Sequence, residues 1–341
     1  MLSVIITVFE QRQSLEMLLY CLKAQIVDEA YEIIVCDDGS SEDMLGIVRD
    51  SHDLSTLDIR YIWHSKKGCR AASTKNRGIR SSRGDLLVFL DADILVRPDF
   101  LQRHRAAHGE QKTIVCNPRR WVAPRGLSSD PRSSPRGNIN DASTLFATLA
   151  TFAKDDMRSL FEYLEKISID IDRIGQQRSF KSLAPWRAFI GFSFSVSRSD
   201  VIYFDEAFEG WGPEDREFAL RLVRKHGYIV SFREDIEVFH LEPFSTGRQP
   251  FSILPRSSTG ILDYIRNMIY FRSSYPEEDL DALMMPLMAY ELDSAGELWQ
   301  VARSSKTPRP SSRADLNRKI EDMERWLIAH DLLRFTDRAS A

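Results

Sequence analysis

The run "FLDADILV", Phe89 to Val96, sets Asp91 and Asp93 one residue apart inside an otherwise apolar stretch. On an extended chain, residues i and i+2 point to the same side, so the two carboxylates would share a face. A hard divalent cation can use such a pair, whereas an apolar core cannot tolerate it unpaired. An Asp-x-Asp triplet is also a common turn, but this one closes "LLVFL", the most hydrophobic strand-like run in the chain. Three further segments place chemistry-bearing groups beside apolar runs. In "CDDGSSED", Asp37 or Asp38 could make an Asx-turn, with Ser40 or Ser41 capping the next helix, or could accept hydrogen bonds from a ribose or a nucleobase N–H. "FEGWGPEDREF" carries Trp211 between Gly210 and Gly212, then Glu214 and Asp215. Acids there suit the first turn of a helix, while an indole between two glycines suggests a ligand wall with close backbone approach. "EVFHLEP" ends its run at His240, a residue type that serves a core as readily as a metal.

These groups need a frame. From Ser3 to about Cys116, short β-branched runs ("SVIITVF", "YEIIVC", "IRYIW", "LLVFL", "TIVCN") alternate with segments of helical period. That alternation predicts βαβ units and a largely parallel sheet, α/β in class. Ligands of such sheets sit beyond the carboxyl ends of the strands, where strand order reverses. Thr7, Phe9 and Glu10, then Asp37 and Asp38, then Asp91 and Asp93 would face that edge. "RRWVAPRGLSSDPRSSPRG", residues 119–137, reads as a long irregular loop. Residues 142–176 read as helical, and "WRAFIGFSFSVS" reads as a strand returning to the sheet. In "GPEDREFALRLVRKHGY" a helix starts after Gly212 and Pro213 and stops at Gly227. From Gly260 the pattern is helical, broken by "SSKTPRPSSR". The expected divisions are 1–118, a nucleotide half; 119–245; and 246–341, a helical C-terminal region.

Composition excludes several classes. With 43% hydrophobic and 28% charged residues and a net charge of −4, the chain has the profile of a globular protein with no bias towards nucleic acid. No apolar run is long enough to span a bilayer, and the N-terminus lacks a basic start of the signal-peptide kind, so a cytoplasmic protein is expected. Cys21, Cys36, Cys69 and Cys116 form no C-x-x-C pair. The arginines at 119, 120, 125, 132, 136, 303, 309 and 313, with Lys306, read as solvated loop charges, with contact to an acidic acceptor or an anionic membrane surface as the other reading.

Taken together, "SVIITVFEQ", "IIVCDDGSSED", "GCRAASTKNRGIRSSRGDLLVFLDADILVRPDF", "FDEAFEGWGPEDREFALRL" and "FHLEP" resemble the GT-A fold glycosyltransferases of family 2. Within it they are similar to members with a galactosyltransferase-type "WGxED" segment, including bacterial chondroitin polymerase domains. The resemblance implies a mostly parallel, Rossmann-like mixed sheet flanked by helices, with a helical C-terminal appendage. It implies donor-site roles for Thr7, Phe9, Asp38, Arg70, Lys75, Asn76, Asp91 and Ala92, with Phe9 stacking on the base and Asp38 bonding its edge. Asn76 and Gly78 would belong to the ribose and helix-packing region. Asp93 and His240 would hold a divalent metal, Mn²⁺ ahead of Mg²⁺ for a mixed oxygen and imidazole shell. Asp215 would be the general base, Glu214 would orient hydroxyls, and Trp211 and Gly212 would meet the sugar or acceptor. The implied reaction is single-displacement transfer from a UDP-sugar to a saccharide, lipid-linked, peptide or small-molecule acceptor. A retaining transferase on the same scaffold, and a binding module that has lost catalysis, stay open. A nucleotidyl transferase or dinucleotide oxidoreductase is disfavoured, because "VFEQRQS" has no glycine-rich loop.

Overall fold

The first strand, β1 (Leu2–Val8), is buried along nearly its whole length, which is how a parallel strand covered on both faces reads. The computed structural model describes residues 1–52, 57–122, 142–168, 184–241, 258–284, 290–292, 298–300 and 312–330, with 170 and 287. After β1 come α1 (Arg12–Lys23), β2 (Tyr31–Asp37), α2 (Met44–His52), β3 (Asp58–Trp63), α3 (Ala71–Ser81), β4 (Leu86–Asp91), the short β5 (Ile94–Leu95), α4 (Phe100–Ala106), β6 (Thr113–Cys116) and β7 (Arg119–Val122). Next are α5 (Ala142–Asp155), α6 (Met157–Ile167), a 3₁₀ turn Pro185–Ala188, β8 (Ser193–Ser197), α7 (Glu214–His226), β9 (Ile229–Phe232) and β10 (Val238–Leu241). The remainder are α8 (Ser258–Ser274), α9 (Asp281–Met284), β11 (Tyr290–Leu292), β12 (Leu298–Gln300) and α10 (Arg313–Ala329).

The main sheet has the order β3-β2-β1-β4-β8-β6-β9. Its only antiparallel member is β8, which pairs with β4 and β6; β1, β2, β3 and β4 run parallel. This is the mixed, mostly parallel sheet expected of a GT-A domain. Order reverses at β1, flanked by β2 and β4, so the switch point lies between the ends of three strands. Register aligns Thr7 with Cys36 on one side and Asp91 on the other. A second sheet, β5-β10-β7, is built from short segments that follow β4, β9 and β6 in the chain. The "RRWV" part of the expected loop is therefore a strand, β7, parallel to β10. Residues 123–141, including Arg125, Arg132 and Arg136, lie outside the described residues, as do Arg303, Lys306 and Arg309.

The chain divides into two units: Met1–Glu206 with Asp215–Phe251, and Ala207–Glu214 with Ser252–Ala341. In the first, Phe89 stacks on Phe194 at 4.5 Å and Phe204 on Phe218 at 4.2 Å between ring centroids. Fully burying such a ring contributes on the order of 2–3 kcal/mol, and here it fixes α7 to the sheet through Phe218, three residues past Asp215. That helix forms as its sequence suggests: Glu214 and Asp215 open it, Arg224, Lys225 and His226 close it, and Gly227 takes a positive φ. In the second unit the expected helices are joined by a two-stranded hairpin, β11 with β12. No helix among the described residues is long and apolar enough to cross a membrane.

Two histidines of the first unit make its stability sensitive to acid. The Ser195 hydroxyl lies 2.7 Å from Nδ1 of His104 and 2.8 Å from Nε2 of His108. Burial pushes His104 down to about 3 and His108 down to about 4. Between the unfolded value near 6.5 and these folded values, only the unfolded chain takes up the protons. Stability is thus intact above pH 7 and falls as the pH drops, by up to about 1.4 kcal/mol per pH unit for fully buried His104. The melting temperature is expected to fall steeply from pH 6 to pH 4.5 and less steeply in His104→Gln, as followed by circular dichroism.

Candidate active site

The ends of β1, β2 and β4 carry the first cluster. Thr7 donates its hydroxyl to Oδ1 of Asp91 at 2.8 Å, so the two residues that share a register also share a hydrogen bond. The backbone then turns: Ala92 N–H donates to Thr7 O at 3.0 Å and Asp91 N–H to Phe192 O at 2.9 Å. Asp91 and Asp93 thus flank a turn between β4 and β5 rather than sharing one face of an extended strand, and the methyl of Ala92 is fully buried. The turn aims Asp93 at different partners: Gln11 Nε2 donates to its Oδ2 at 2.9 Å, and His240 Nε2 lies 3.3 Å from the same oxygen. Antiparallel pairing of β5 with β10 makes that meeting, with His240 opposite Ile94 and Leu241 N–H donating to Asp93 O at 2.8 Å.

Burial pulls both carboxyls upward, yet they separate. The His240 ring and its hydrogen bond, with Gln11, outweigh burial at Asp93 and hold it below the usual range. Asp91 is pushed up to about 6 by burial, against the attraction of Lys75 and with the charge of Asp93 adding to the rise. Asp93 Oδ1 is buried without a hydrogen-bond partner. An anionic oxygen in that position beside an imidazole is what a first-row divalent cation would satisfy. No group of three His, Cys, Asp or Glu among the described residues could hold a metal, so other positions would fall to ligand or water oxygens. The residues fit such an ion.

Arg119, read from sequence as a solvated loop charge, stands at this centre. Its guanidinium packs 4.0 Å from the Trp121 ring centroid and 4.7 Å from that of Phe192, and Nη1 lies 3.2 Å from His240 Nδ1. Trp121 also stacks on His240 at 4.5 Å. A guanidinium only donates, so Nδ1 accepts and Nε2 carries the proton that faces Asp93. A cation at Nε2 would take that proton's place.

The second cluster surrounds Asp38. Asp37 makes the Asx-turn, accepting from Ser40 N–H at 2.8 Å and from the Tyr61 hydroxyl at 2.5 Å. Neither serine caps α2; Asp43 does, accepting from Gly46 N–H at 2.8 Å, while Ser41 is held by the carboxylate of Glu10. Asp38 is left to accept from Arg70 N–H at 3.0 Å and Lys66 Nζ at 3.2 Å, with Arg70 Nη2 at 3.3 Å and His64 Nε2 at 3.6 Å. Phe9 is 41% exposed and has the Lys66 ammonium 3.3 Å over its ring. Lys66 and His64 were missed by sequence reasoning, since a basic loop after a strand carries no motif of its own.

The remaining positions separate. Asn76 spends its side chain on the 204–206 segment, donating to Phe204 O at 2.9 Å and Glu206 Oε1 at 2.8 Å and accepting from Phe204 N–H at 2.8 Å. It therefore holds helix packing and has no amide group left for a ribose. Lys75, buried in α3, acts electrostatically on Asp91. It also comes near Asp215: a Cβ on Gly191 would lie 3.4 Å from Lys75 Nζ and 3.7 Å from Asp215 Oδ2. The tight contact of such a Cβ would be with Asp215 Cβ, at 3.1 Å. Asp215 Oδ2 accepts from Gly191 N–H at 2.9 Å, and Oδ1 from Arg216 N–H at 2.7 Å. In the second unit, Trp211 is 37% exposed with its ring 5.6 Å from that of Tyr264, Gly212 has φ +41°, and buried Glu214 begins α7.

Comparison with known proteins gives the family of the segment that carries these strand ends. Residues 3–168 match the model of glycosyl transferase family 2. That segment is a family 2 glycosyltransferase domain. It is 26% identical over 294 residues to a hyaluronan synthase of Pasteurella multocida, covering 84% of this chain and 29% of that one. A chondroitin synthase of Escherichia coli is 26% identical over 246 residues, 71% of this chain and 35% of the synthase. A validoxylamine A glucosyltransferase of Streptomyces hygroscopicus subsp. jinggangensis is 31% identical over 238 residues, 67% of this chain and 52% of the enzyme. The chain thus spans from under a third to about half the length of these relatives. The domain that matches contains the ends of β1, β2 and β4, and so the Asp38, Asp91 and Asp93 positions.

Proposed function

We propose that this family 2 glycosyltransferase moves a sugar from a UDP-sugar to an acceptor hydroxyl, with a divalent metal and inversion of the anomeric centre. The observation that carries the reading is the pairing of buried Asp93, one oxygen unpartnered, with the His240 imidazole at the switch point of the sheet. Asp93 Oδ1 and His240 Nε2 would hold the ion, Mn²⁺ suiting a mixed oxygen and imidazole set. When bound, such an ion supplies neutralisation of charge on the departing diphosphate. The residues of the chain do the rest. Phe9, Asp38, Lys66 and Arg70 would take the nucleoside end, with Thr7 and Asp91 towards the ribose. Lys75 would add fixed positive charge beside Asp91, where negative charge develops on the donor. Asp215, held by the N–H groups of Gly191 and Arg216, would take the acceptor proton as that oxygen attacks the face opposite the diphosphate. Glu214 and Trp211 would present a carboxylate and an aromatic face to the sugar or acceptor.

The test is turnover of a UDP-sugar panel against a mono- and disaccharide acceptor panel, with Mn²⁺ and with chelator, and proton NMR of the product. Metal-dependent UDP release with an inverted linkage is expected. A product of retained configuration would replace single displacement by the retaining reading, and turnover unchanged by chelator would remove the metal.

A further inference from the structure

The second unit holds a contact set that the reaction scheme above does not use. Along α8, Asp263, Tyr264, Asn267, Tyr270 and Phe271 recur at helical spacing on one face, and each touches the 208–212 segment. Asn267, fully buried, donates its amide to Glu209 O at 2.9 Å and Gly212 O at 2.8 Å, with Trp211 O at 3.4 Å. Asp263 accepts from the Trp211 backbone N–H, and Arg266 donates to Glu209 O. Tyr264 tilts against Trp211 at 5.6 Å, while Tyr270 and Phe271 pack edge-on to Phe208 at 5.1 and 6.0 Å. Gly210 has φ +79°, and any Cβ there would run into the Asp263 carboxylate.

A loop of five residues with three carbonyls and an N–H taken by one helix face is anchored against displacement. Backbone carbonyls in a connecting segment are ordinarily left to water; here a buried amide side chain is committed to them. Chain continuity gives this a consequence, because the segment runs through Pro213 into Glu214 and Asp215. We infer that Asn267 is a positioning residue: with Asp263 it fixes the Trp211 to Glu214 segment, so that α8 sets the aromatic wall and hydroxyl-orienting carboxylate on the acceptor side. The assignment of that wall to the acceptor rests on the glycosyltransferase reading, while the clamp itself does not.

The experiment uses the full chain. Asn267→Asp preserves shape but turns the two donors into acceptors facing carbonyls. Hydrogen exchange followed by mass spectrometry is expected to show the 208–212 amides exchanging about 10-fold faster or more, with UDP affinity in the presence of Mn²⁺ changed by less than about twofold. With any saccharide that wild type glycosylates, kcat/KM for the acceptor is expected to fall about 10²-fold, the size of effect a misplacement near 1 Å produces, with KM for the donor unmoved. If Asn267→Asp loses UDP binding through misfolding, Gly210→Ala displaces the same loop from the other side and is expected to give the same pattern. Unchanged exchange in both variants overturns the clamp, and faster exchange with unchanged acceptor kinetics overturns the positioning role. A wild-type protein that transfers nothing from any UDP-sugar fails the glycosyltransferase reading and with it the acceptor role, while the exchange rates still decide the clamp.

Discussion

If the proposed reaction holds, Asp93→Asn is expected to abolish the metal-dependent part of UDP binding and to lower transfer by about 10²–10³-fold, the cost of removing one well-placed electrostatic stabiliser. The substitution is isosteric, and Asp93 lies in a turn fixed by backbone bonds that do not involve its side chain, notably Leu241 N–H to Asp93 O. The fold therefore survives with a melting temperature within a few degrees. What disappears is the anion: the amide can accept from Gln11 as before, but presents a neutral group where the unpartnered oxygen stood. Calorimetric titration of UDP with and without Mn²⁺ separates the outcomes. Wild type gains affinity with metal and the variant does not. An equal gain in both would take the metal away from Asp93 and leave the Asp93 and His240 pair as a structural contact.

The frame that holds this pair was largely legible in the sequence, and its partners were not. The β1, β2 and β4 runs are buried on both faces, so their apolar character is continuous and their ends stand out as the first polar residues. That made Asp38, Asp91 and Asp93 visible. His240 was visible as the polar end of another run, but its meeting with Asp93 depends on a two-residue strand pairing antiparallel with β10, which no local periodicity announces. Arg119 was misread because an arginine in a Pro- and Ser-rich stretch looks solvated, and only Trp121 and Phe192 on its two sides make it part of the site. Asn76 and Asn267 show the same limit. An asparagine in a helix is neutral to prediction, and its value here comes from carbonyls far away in sequence or more than fifty residues back along the chain.

With Asp215 as the proposed base, Asp215→Asn is expected to separate binding from chemistry. Asp215 lies on α7, anchored to the first unit by Phe218 in its aromatic stack. The Asp215 carboxylate is bonded to Gly191 and Arg216, and not to Phe9, Asp38, Lys66 or Arg70, the residues proposed for the nucleoside end. UDP affinity in the presence of Mn²⁺ is therefore expected to stay within about twofold of wild type. Transfer is expected to fall by about 10²–10⁴-fold, the range supplied by a positioned general base. The amide cannot satisfy both N–H donors that now bind the carboxylate, Gly191 and Arg216. One bond to a charged acceptor is lost, at about 1.5–3 kcal/mol, readable as a drop in melting temperature. The kinetic signature is a fall in kcat with donor KM unchanged, since the lost interaction exists only when the acceptor oxygen attacks. Transfer within about tenfold of wild type would move the base role off Asp215, and Glu214, one residue earlier, would be the next group to substitute.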